Sequence, residues 1–300
     1  MTMIKTAIVG FGNIGKSVYD AVIDAPDFCL TGVVCRTVRD EYKKILGDIQ
    51  IATSIDALSE KPDLAILCIP SREVPGYAEQ CLLKGISTSD CFDIHTRIVE
   101  TRKRLDAAAK KGNAKALTAA GWDPGSDSVV RALLLACAPK GITYTNFGSG
   151  MSMGHSVAAR AIKGVSNALS MTIPLGTGIH RRMVYVELED GFDFDDVAAR
   201  LKADDYFSHD ETHVIKVDDI NELKDMGHGV SLTRKGVSGA TDNQLFEFSM
   251  KINNPALTAQ ILVSAARAVL KQPAGTYTMI ELPVIDMIYG DREELIQKLV

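Results

Sequence analysis

The chain has 300 residues, of which 46% are hydrophobic, so it is long enough for one large or two moderate domains with buried cores. The formal net charge of −5 favours a small-molecule partner over nucleic acid or an anionic membrane surface. Because no apolar run approaches the length of a membrane span and no signal-peptide pattern is found, we expect a cytoplasmic protein.

The first predicted elements enclose a glycine-rich turn. An apolar strand over 6–9 leads into Gly10-Phe11-Gly12-Asn13-Ile14-Gly15, and a helix is predicted from Asn13 to Ile23. In the dinucleotide fingerprint, the glycines permit the tight turn, the approach of backbone to pyrophosphate, and the packing of helix on strand. The strand and helix on either side favour a nucleotide site over a chance turn. The cofactor contacts predicted here are Gly10, Gly12, Asn13 and Ile14.

Cations follow the second predicted strand, over 30–34, where an NAD-binding chain would carry an acid. Arg36, Thr37 and Arg39 offer two cations and a hydroxyl, which suit a 2′-phosphate, whereas a carboxylate would repel it. The sequence therefore predicts NADP, the alternative being that the two arginines are ordinary solvated side chains. Further cofactor contacts are predicted near the end of the next strand, at Cys68, Pro70 and Ser71.

The alternation of strands and helices continues and then changes. Strands are predicted over 63–69, 86–89 and 114–119, with helices over 74–84, 96–111 and 127–137. This repeat predicts a Rossmann-type, doubly wound parallel sheet. Beyond it, one helical segment over 197–202 accompanies strands predicted over 169–173, 183–188, 213–217, 230–234 and 246–252. These predict a second α+β domain built on a mainly antiparallel sheet.

The C-terminal segment is predicted to return to the nucleotide domain. It contains a helix over 255–270 and an apolar strand over 278–285. The predicted domains are therefore 1–121, with about 256–300 packing back onto it, and a substrate-binding and dimerisation domain over 122–255. Since an antiparallel sheet with one face on its own core needs a cover for the other face, we expect a homodimer.

Two acids follow successive strands of the parallel sheet. Asp93 and Asp123 each come just past a strand end, the edge at which open α/β sheets bind ligands. Two carboxylates near a hydride acceptor suit a cationic substrate such as an amine, and one of them could deprotonate water. The alternative is that both are loop or helix-capping residues. Trp122, the only tryptophan of the chain, stands beside Asp123 and could form a pocket wall or simply core.

Polar groups and small residues mark the second domain. The stretch over 146–156 has too many small residues for a regular element, and it is either a set of backbone donors for a carboxylate or a flexible connection. Arginine, histidine, threonine and asparagine side chains at strand ends could together bind a carboxylate and an amine. These residues are Thr172, Arg181, Arg182, His228 and Asn254.

The six cysteines show no CxxC pair and no spacing typical of metal ligands, so we expect reduced structural thiols and no metal site.

Several blocks of the sequence together resemble a known family, the meso-diaminopimelate D-dehydrogenases, nearly end to end. The blocks are GFGNIG (10–15), CFDIH (91–95), AGWDPGSDS (120–128), KGITYTNFG (140–148), MSMGHS (151–156), KGVSGAT (235–241) and INNPALTAQ (252–260). The glycine-rich run over 148–156 looks like the branch of the family that accepts a broader range of 2-keto acids and D-amino acids.

The resemblance implies NADP-dependent, reversible oxidative deamination at the D-centre of meso-2,6-diaminopimelate. The products are L-2-amino-6-oxopimelate and ammonia, and the reverse reaction serves lysine and peptidoglycan-precursor synthesis. By similarity, Asp93 and Asp123 hold the reacting amine, and the backbone at Met153 and Gly154 binds the near carboxylate. Side chains packing around the amine are Trp122, Phe147 and Met153. Side chains reading the distal L-centre are Thr172, Arg182, His228 and Asn254.

Two alternatives remain beside this interpretation. One is another NADP oxidoreductase of aspartate-derived metabolism, such as a homoserine or semialdehyde dehydrogenase. A phosphorylating semialdehyde enzyme needs a nucleophilic cysteine in its catalytic domain, and no cysteine follows Cys137. The other is a non-catalytic NADPH-binding sensor, which the presence of Asp93 and Asp123 beside Trp122 disfavours.

Overall fold

The computed structural model describes residues 3–223 and 227–300. Its strands are β1 (Ile4–Val9), β2 (Phe28–Val34), β3 (Ile51–Ala52), β4 (Leu64–Leu67), β5 (Ser87–Asp90), β6 (Lys115–Leu117), β7 (Lys140–Phe147), β8 (Gly150–Met151), β9 (Val165–Gly176), β10 (Ile179–Leu188), β11 (Glu211–Lys216), β12 (Gly227–Ser238), β13 (Thr241–Asn253) and β14 (Gly275–Tyr277). Its α-helices are α1 (Asn13–Ile23), α2 (Asp40–Leu46), α3 (Val74–Leu83), α4 (Ile98–Gly112), α5 (Ser126–Cys137), α6 (Met153–Arg160), α7 (Phe194–Ala203), α8 (Ala256–Leu270) and α9 (Arg292–Leu299). In these ranges no helix has both the length and the apolar content to cross a membrane.

The chain divides into two compact units. The first comprises Met1–Val129 and Pro255–Val300, and the second comprises Val130–Asn254. The division falls inside α5. The domain boundaries placed at 121 and 255 from the sequence stay predictions.

A parallel sheet forms the centre of the first unit. Among the described residues it has seven strands in the order β14-β6-β5-β4-β1-β2-β3. Val9 of β1 is level with Val34 of β2 and with Leu67 of β4, and Leu67 is level with Asp90 of β5. The carboxyl ends of four neighbouring strands therefore lie side by side, which is where a doubly wound sheet binds ligands.

Two apolar cores flank this sheet. In one, Val18 and Val22 of α1 pack with Leu262 of α8. In the other, Ala78 of α3 packs with Leu105 of α4. A sheet with helical cores on both faces is doubly wound, so the predicted Rossmann-type fold is confirmed.

The end of the chain differs in part from its prediction. The last strand, β14, pairs with β6 and so does return to the sheet of the first unit. The strand predicted over 278–285 is wrong, because that segment forms two 3₁₀ turns, Met279–Glu281 and Val284–Met287. Its buried residues Met279 and Leu282 are three positions apart, a helical spacing, and Thr278 with Glu281 forms a capping box at the first turn.

Among the described residues, the second unit contains two sheets where one was expected. Their orders are β11-β10-β9-β8 and β13-β12-β7. Every pairing is antiparallel except that of β10 with β11, so the mainly antiparallel character is confirmed. Ala159 of α6 and Leu201 of α7 pack against Val184 of β10 in the core of the first of these sheets.

The glycine-rich stretch over 146–156 forms regular structure, contrary to its prediction. It contains β8 and the first half of α6. Ser156 is buried, its hydroxyl donates to Ser152 O, and it accepts from the backbone N–H of Ser170 in β9 at 2.9 Å. Glycine and serine are weaker helix formers than alanine, but here the small Ser156 side chain bonds to β9 and lets α6 lie close to it.

Candidate active site

The turn between β1 and α1 has the geometry that a dinucleotide requires. A Cβ on Gly10, whose φ is +90°, would lie 2.4 Å from Cys68 O, and a Cβ on Gly15 would lie 2.1 Å from Gly10 O. By contrast, a Cβ on Gly12 would meet no atom within 4 Å. Gly10 and Gly15 are therefore needed for the turn itself, while Gly12 leaves space in front of the first N–H groups of α1, at Asn13 and Ile14.

The predicted 2′-phosphate contacts lie after β2. The Arg36 side chain is 81% exposed, and its guanidinium lies 3.4 Å from Glu73 Oε1. Arg39 lies 3.8 Å from Glu41 and over the ring of Tyr42. Glu73 was missed in the sequence, because it is distant along the chain. An exposed pair of this kind contributes little energy, so a phosphate could compete with Glu73 for Arg36.

Cys68, Pro70 and Ser71, which stay predicted cofactor contacts, follow β4. Ser71 links this segment to one of the acids. The Ser71 hydroxyl donates to Asp93 Oδ1 at 2.6 Å and accepts from the Asp93 N–H at 3.4 Å. Burial, with a smaller contribution from Cys91, raises the pKa of the Cys68 thiol well above its usual value. Cys68 is therefore a neutral thiol at physiological pH.

The second acid is held in a tight turn after β6. Gly121 and Gly125 form a bridge, and a Cβ on Gly125, whose φ is +148°, would lie 2.0 Å from Gly121 O. The turn places Trp122 in a buried position and leaves the Asp123 side chain 15% exposed. His95 Nε2 lies 4.0 Å from Asp123 Oδ2, and His95 is only two residues after Asp93. The structure thus brings the loops of both predicted acids together.

Arg182 and Thr172, two of the predicted substrate contacts, meet in the second unit. They are opposite each other on β10 and β9, both are buried, and Arg182 donates to the Thr172 hydroxyl. Arg182 Nε also donates to Asp210 Oδ2 at 2.6 Å. Asp210 was missed in the sequence because it lies in a loop before β11, with no pattern connecting it to Arg182.

Gly150 of β8 connects this pair to His228. It pairs with Thr172, and a Cβ on it would lie 1.7 Å from Gly227 O and 3.0 Å from the Cα of His228. Asn254 directly follows Asn253, which pairs with Gly227. Asn254 Oδ1 is buried and has no hydrogen-bond partner among the described residues. The four residues predicted to read a distal centre therefore lie on adjoining backbone segments of the second unit.

His180 holds Phe147, the predicted aromatic contact to the substrate, in place. The Phe147 N–H donates to His180 Nε2 at 2.7 Å, and the two ring centroids are 5.4 Å apart. Burial, and then the charge of Arg182, lowers the pKa of His180, while Asp210 opposes this shift. A neutral imidazole that accepts at Nε2 fits these facts. Met153 and Gly154, also predicted contacts, are the first two residues of α6.

Known proteins match this chain from end to end. A family model described as the diaminopimelic acid dehydrogenase C-terminal domain matches residues 121–181, and a CoA binding domain model matches 1–94. A Bacteroides fragilis protein named meso-diaminopimelate D-dehydrogenase is 59% identical over 300 residues, which is 100% of both chains. The chain belongs to the meso-diaminopimelate D-dehydrogenase family.

Solved structures of similar proteins agree. A C. glutamicum DAP dehydrogenase in complex with DAP is 27% identical, with a TM-score of 0.89 over 100% of both chains. An engineered D-amino acid dehydrogenase bound to NADP⁺ is 25% identical, with a TM-score of 0.90 over 100% of both chains. Family membership confirms the resemblance found in the sequence, while the roles of individual residues stay predictions.

Proposed function

We propose that this protein catalyses the NADP-dependent, reversible oxidative deamination of the D-centre of meso-2,6-diaminopimelate to L-2-amino-6-oxopimelate and ammonia. The observation that carries the proposal is the 59% identity to the Bacteroides fragilis relative over the whole of both chains. The reverse reaction would supply an intermediate for lysine and peptidoglycan-precursor synthesis. The similarity to an engineered D-amino acid dehydrogenase supports some activity on other D-amino acids as well.

The glycine turn and the cations after β2 fit NADP. The open space in front of Gly12 would admit the pyrophosphate, and Arg36, Thr37 and Arg39 would contact the 2′-phosphate. When bound, NADP⁺ supplies a hydride acceptor for the oxidation of the Cα–N bond. Ser71, through its 2.6 Å hydrogen bond, would connect the cofactor region to Asp93.

Asp93 and Asp123 would hold the reacting ammonium group and orient its carbon. Once the hydride has left Cα, water attacks the resulting iminium, and one of the two carboxylates accepts the proton that water releases. Ammonia then leaves as the carbonyl forms. Trp122, which is buried beside Asp123, would limit the access of bulk water.

The second unit would recognise the rest of the substrate. The N–H groups at the start of α6, at Met153 and Gly154, would bind the near carboxylate, with Phe147 packing beside it. Arg182 and Thr172, with His228 and Asn254, would bind the distal L-centre. A distal carboxylate would share the guanidinium of Arg182 with Asp210.

A homodimer in the cytoplasm is part of the same proposal. Ile142 of β7 and Leu245 of β13 are 56% and 55% exposed and stand on either side of Lys235 in the three-stranded sheet. A second copy could cover these two exposed apolar side chains, which stand among polar and charged ones. All six cysteines are free thiols, which suits a reducing compartment.

A cysteine-dependent semialdehyde dehydrogenase is the weaker alternative. Burial, with Asp93 and Asp90 adding to it, raises the pKa of Cys91 to about 12, and the pKa of Cys68 is raised as well. Neither thiol near the acids is therefore a good nucleophile at neutral pH.

The proposal is tested by following NADPH formation from NADP⁺ and meso-diaminopimelate, with LL-diaminopimelate and NAD⁺ as controls. Turnover of the meso compound with NADP⁺, and little with either control, is expected, because LL-diaminopimelate has no D-centre and NAD⁺ lacks the 2′-phosphate that the cations after β2 would bind. Asp123→Asn should retain NADPH binding and lose about 10²-fold or more in kcat. Binding of NADPH without turnover by the unaltered protein would instead favour a sensor.

A further inference from the structure

A buried carboxylate that the proposed chemistry does not use lies between the loops of the two acids. Asp90 is the last residue of β5, and its side chain is 0% exposed. Its Oδ1 accepts hydrogen bonds from the Phe92 N–H at 3.0 Å, the Thr118 hydroxyl at 3.0 Å and the Ala119 N–H at 3.2 Å. Its backbone carbonyl accepts from the Ala120 N–H at 2.9 Å.

These donors belong to two different loops. Phe92 directly precedes Asp93 in the loop after β5, while 118–120 follows β6 and leads into the Gly121–Gly125 turn that carries Asp123. Ala119 has a φ of +55°, a left-handed conformation that residues with a Cβ rarely adopt and that surrounding bonds must maintain. One side chain therefore ties both loops together and maintains this unusual backbone.

A buried carboxylate at this position costs more free energy than a neutral hydrogen-bond acceptor would. Burial raises the pKa of Asp90 to about 6, against the opposing effect of its three hydrogen bonds. Its Oδ2 is also buried and has no hydrogen-bond partner among the described residues. The preceding strand residues Ser87, Thr88 and Ser89 are polar but neutral, so a charge here is specific to the strand end. A charged acceptor holds N–H and O–H donors more tightly than a neutral one does.

We propose that Asp90 is a positioning residue, whose carboxylate fixes the loop after β5 against the loop after β6 and thereby sets Asp93 and Asp123 for action on one amine. This role rests on the proposed function, because it concerns the reaction of those two acids. Asp90 would act through them and would touch neither substrate nor cofactor.

A double-mutant cycle tests this role. Asp90→Asn, Asp123→Asn and the double variant are compared with the unaltered enzyme for kcat with meso-diaminopimelate and for the NADPH dissociation constant. Asp90→Asn should lower kcat by about tenfold or more and change the NADPH dissociation constant by less than about twofold. The double variant should be slower than Asp123→Asn by clearly less than the loss that Asp90→Asn causes alone, because one of the two acids through which Asp90 acts has already been removed. Full multiplication of the two losses would overturn the positioning role.

Ser89→Ala is the matched control for general destabilisation. The Ser89 hydroxyl is buried one residue earlier on the same strand and donates at 3.1 Å to Leu262 O of α8, which belongs to neither loop. This variant should lower the melting temperature and leave kcat unchanged. An equal loss of kcat in Ser89→Ala and Asp90→Asn would also overturn the proposal.

A second variant covers the case in which Asp90→Asn does not fold. Thr118→Val keeps the side-chain shape and removes one donor to Asp90 Oδ1, so it should lower kcat several-fold and show the same non-additivity with Asp123→Asn. An unaltered kcat would contradict the role. Failure of the proposed function would appear separately, as absence of turnover in the unaltered protein.

Discussion

At the scale of single residues, the ion pairs and hydrogen bonds already present orient the Arg182 guanidinium for a ligand. Arg182 bonds Asp210 through Nε and Thr172 through a terminal nitrogen, so its guanidinium is already oriented. A guanidinium has five N–H donors, which leaves room for a carboxylate as well. Arg181, the preceding residue on β10, instead forms an ion pair with the exposed Glu211. Adjacent arginines on one strand therefore face different surroundings, as the alternation of a β-strand requires.

Arg182→Ala should lower activity on meso-diaminopimelate much more than activity on D-alanine. We expect kcat/KM for meso-diaminopimelate to fall by about 10²-fold, because a buried charged contact to the distal carboxylate is lost. D-Alanine has no distal carboxylate, so its kcat/KM should fall much less. Arg181→Ala is the matched control and should leave both values near those of the unaltered enzyme. Equal losses for both substrates in Arg182→Ala would show that Arg182 does not read the distal group.

Asp90 should also affect stability in a defined pH window. Because its pKa is raised from 3.8 to about 6 on folding, the folded state holds a proton that the unfolded state releases between these values. The free energy of unfolding of the unaltered protein, relative to Asp90→Asn, should therefore decrease as the pH rises from about 4 to about 6, by on the order of 2 kcal/mol. Denaturant titrations at several pH values measure this difference. A difference that is constant with pH, or that increases, would show that Asp90 does not titrate in this way.

At the scale of elements, the glycines of the turn after β1 have different roles, because Gly15 is needed for folding and Gly12 for the proposed binding of the pyrophosphate. Gly15 is needed because its Cα faces Gly10 O, whereas the space beside Gly12 is open. This division follows from the close contact between α1 and the turn after β1.

Gly12→Ala and Gly15→Ala should therefore have different consequences. Gly12→Ala should fold with a near-normal melting temperature and bind NADPH about tenfold or more weakly, because the added methyl group occupies the pyrophosphate space. Gly15→Ala should lower the melting temperature, because its Cβ would lie 2.1 Å from a backbone oxygen. Thermal scans and fluorescence titrations with NADPH compare the two. Normal NADPH binding by Gly12→Ala would place the pyrophosphate elsewhere.

The elements also show what sequence patterns can predict. The parallel sheet, α1 and α8 were predictable because apolar periodicity and turn residues agree there. The helix α6 was not, because it depends on the bonds of Ser156 to β9 rather than on local propensity. In the candidate site, Asp93, Asp123, Thr172 and Arg182 were found from residue type, strand ends and family motifs. Asp90 and Asp210 were missed, because their partners are distant in sequence.

At the scale of the whole molecule, the exposed face of the three-stranded sheet is the feature that a single chain leaves open. Ile142 and Leu245 are more than half exposed on this face. The unaltered protein should have a solution mass near twice the 32.4 kDa of one chain. Leu245→Glu should shift it toward one chain, while Val157→Glu, at an exposed position on α6, should not. Light scattering after size-exclusion chromatography measures both, and a monomeric unaltered protein would contradict the dimer.

The central claim is that the hydride comes from the D-configured carbon of diaminopimelate. It is tested most directly with meso-diaminopimelate that carries deuterium only at the D-centre Cα, incubated with the enzyme and NADP⁺ in ordinary water. We expect the deuterium to appear in the reduced nicotinamide, together with L-2-amino-6-oxopimelate and one equivalent of ammonia. NADPH formed without deuterium, with the label retained in the amino acid or released to water, would contradict the account.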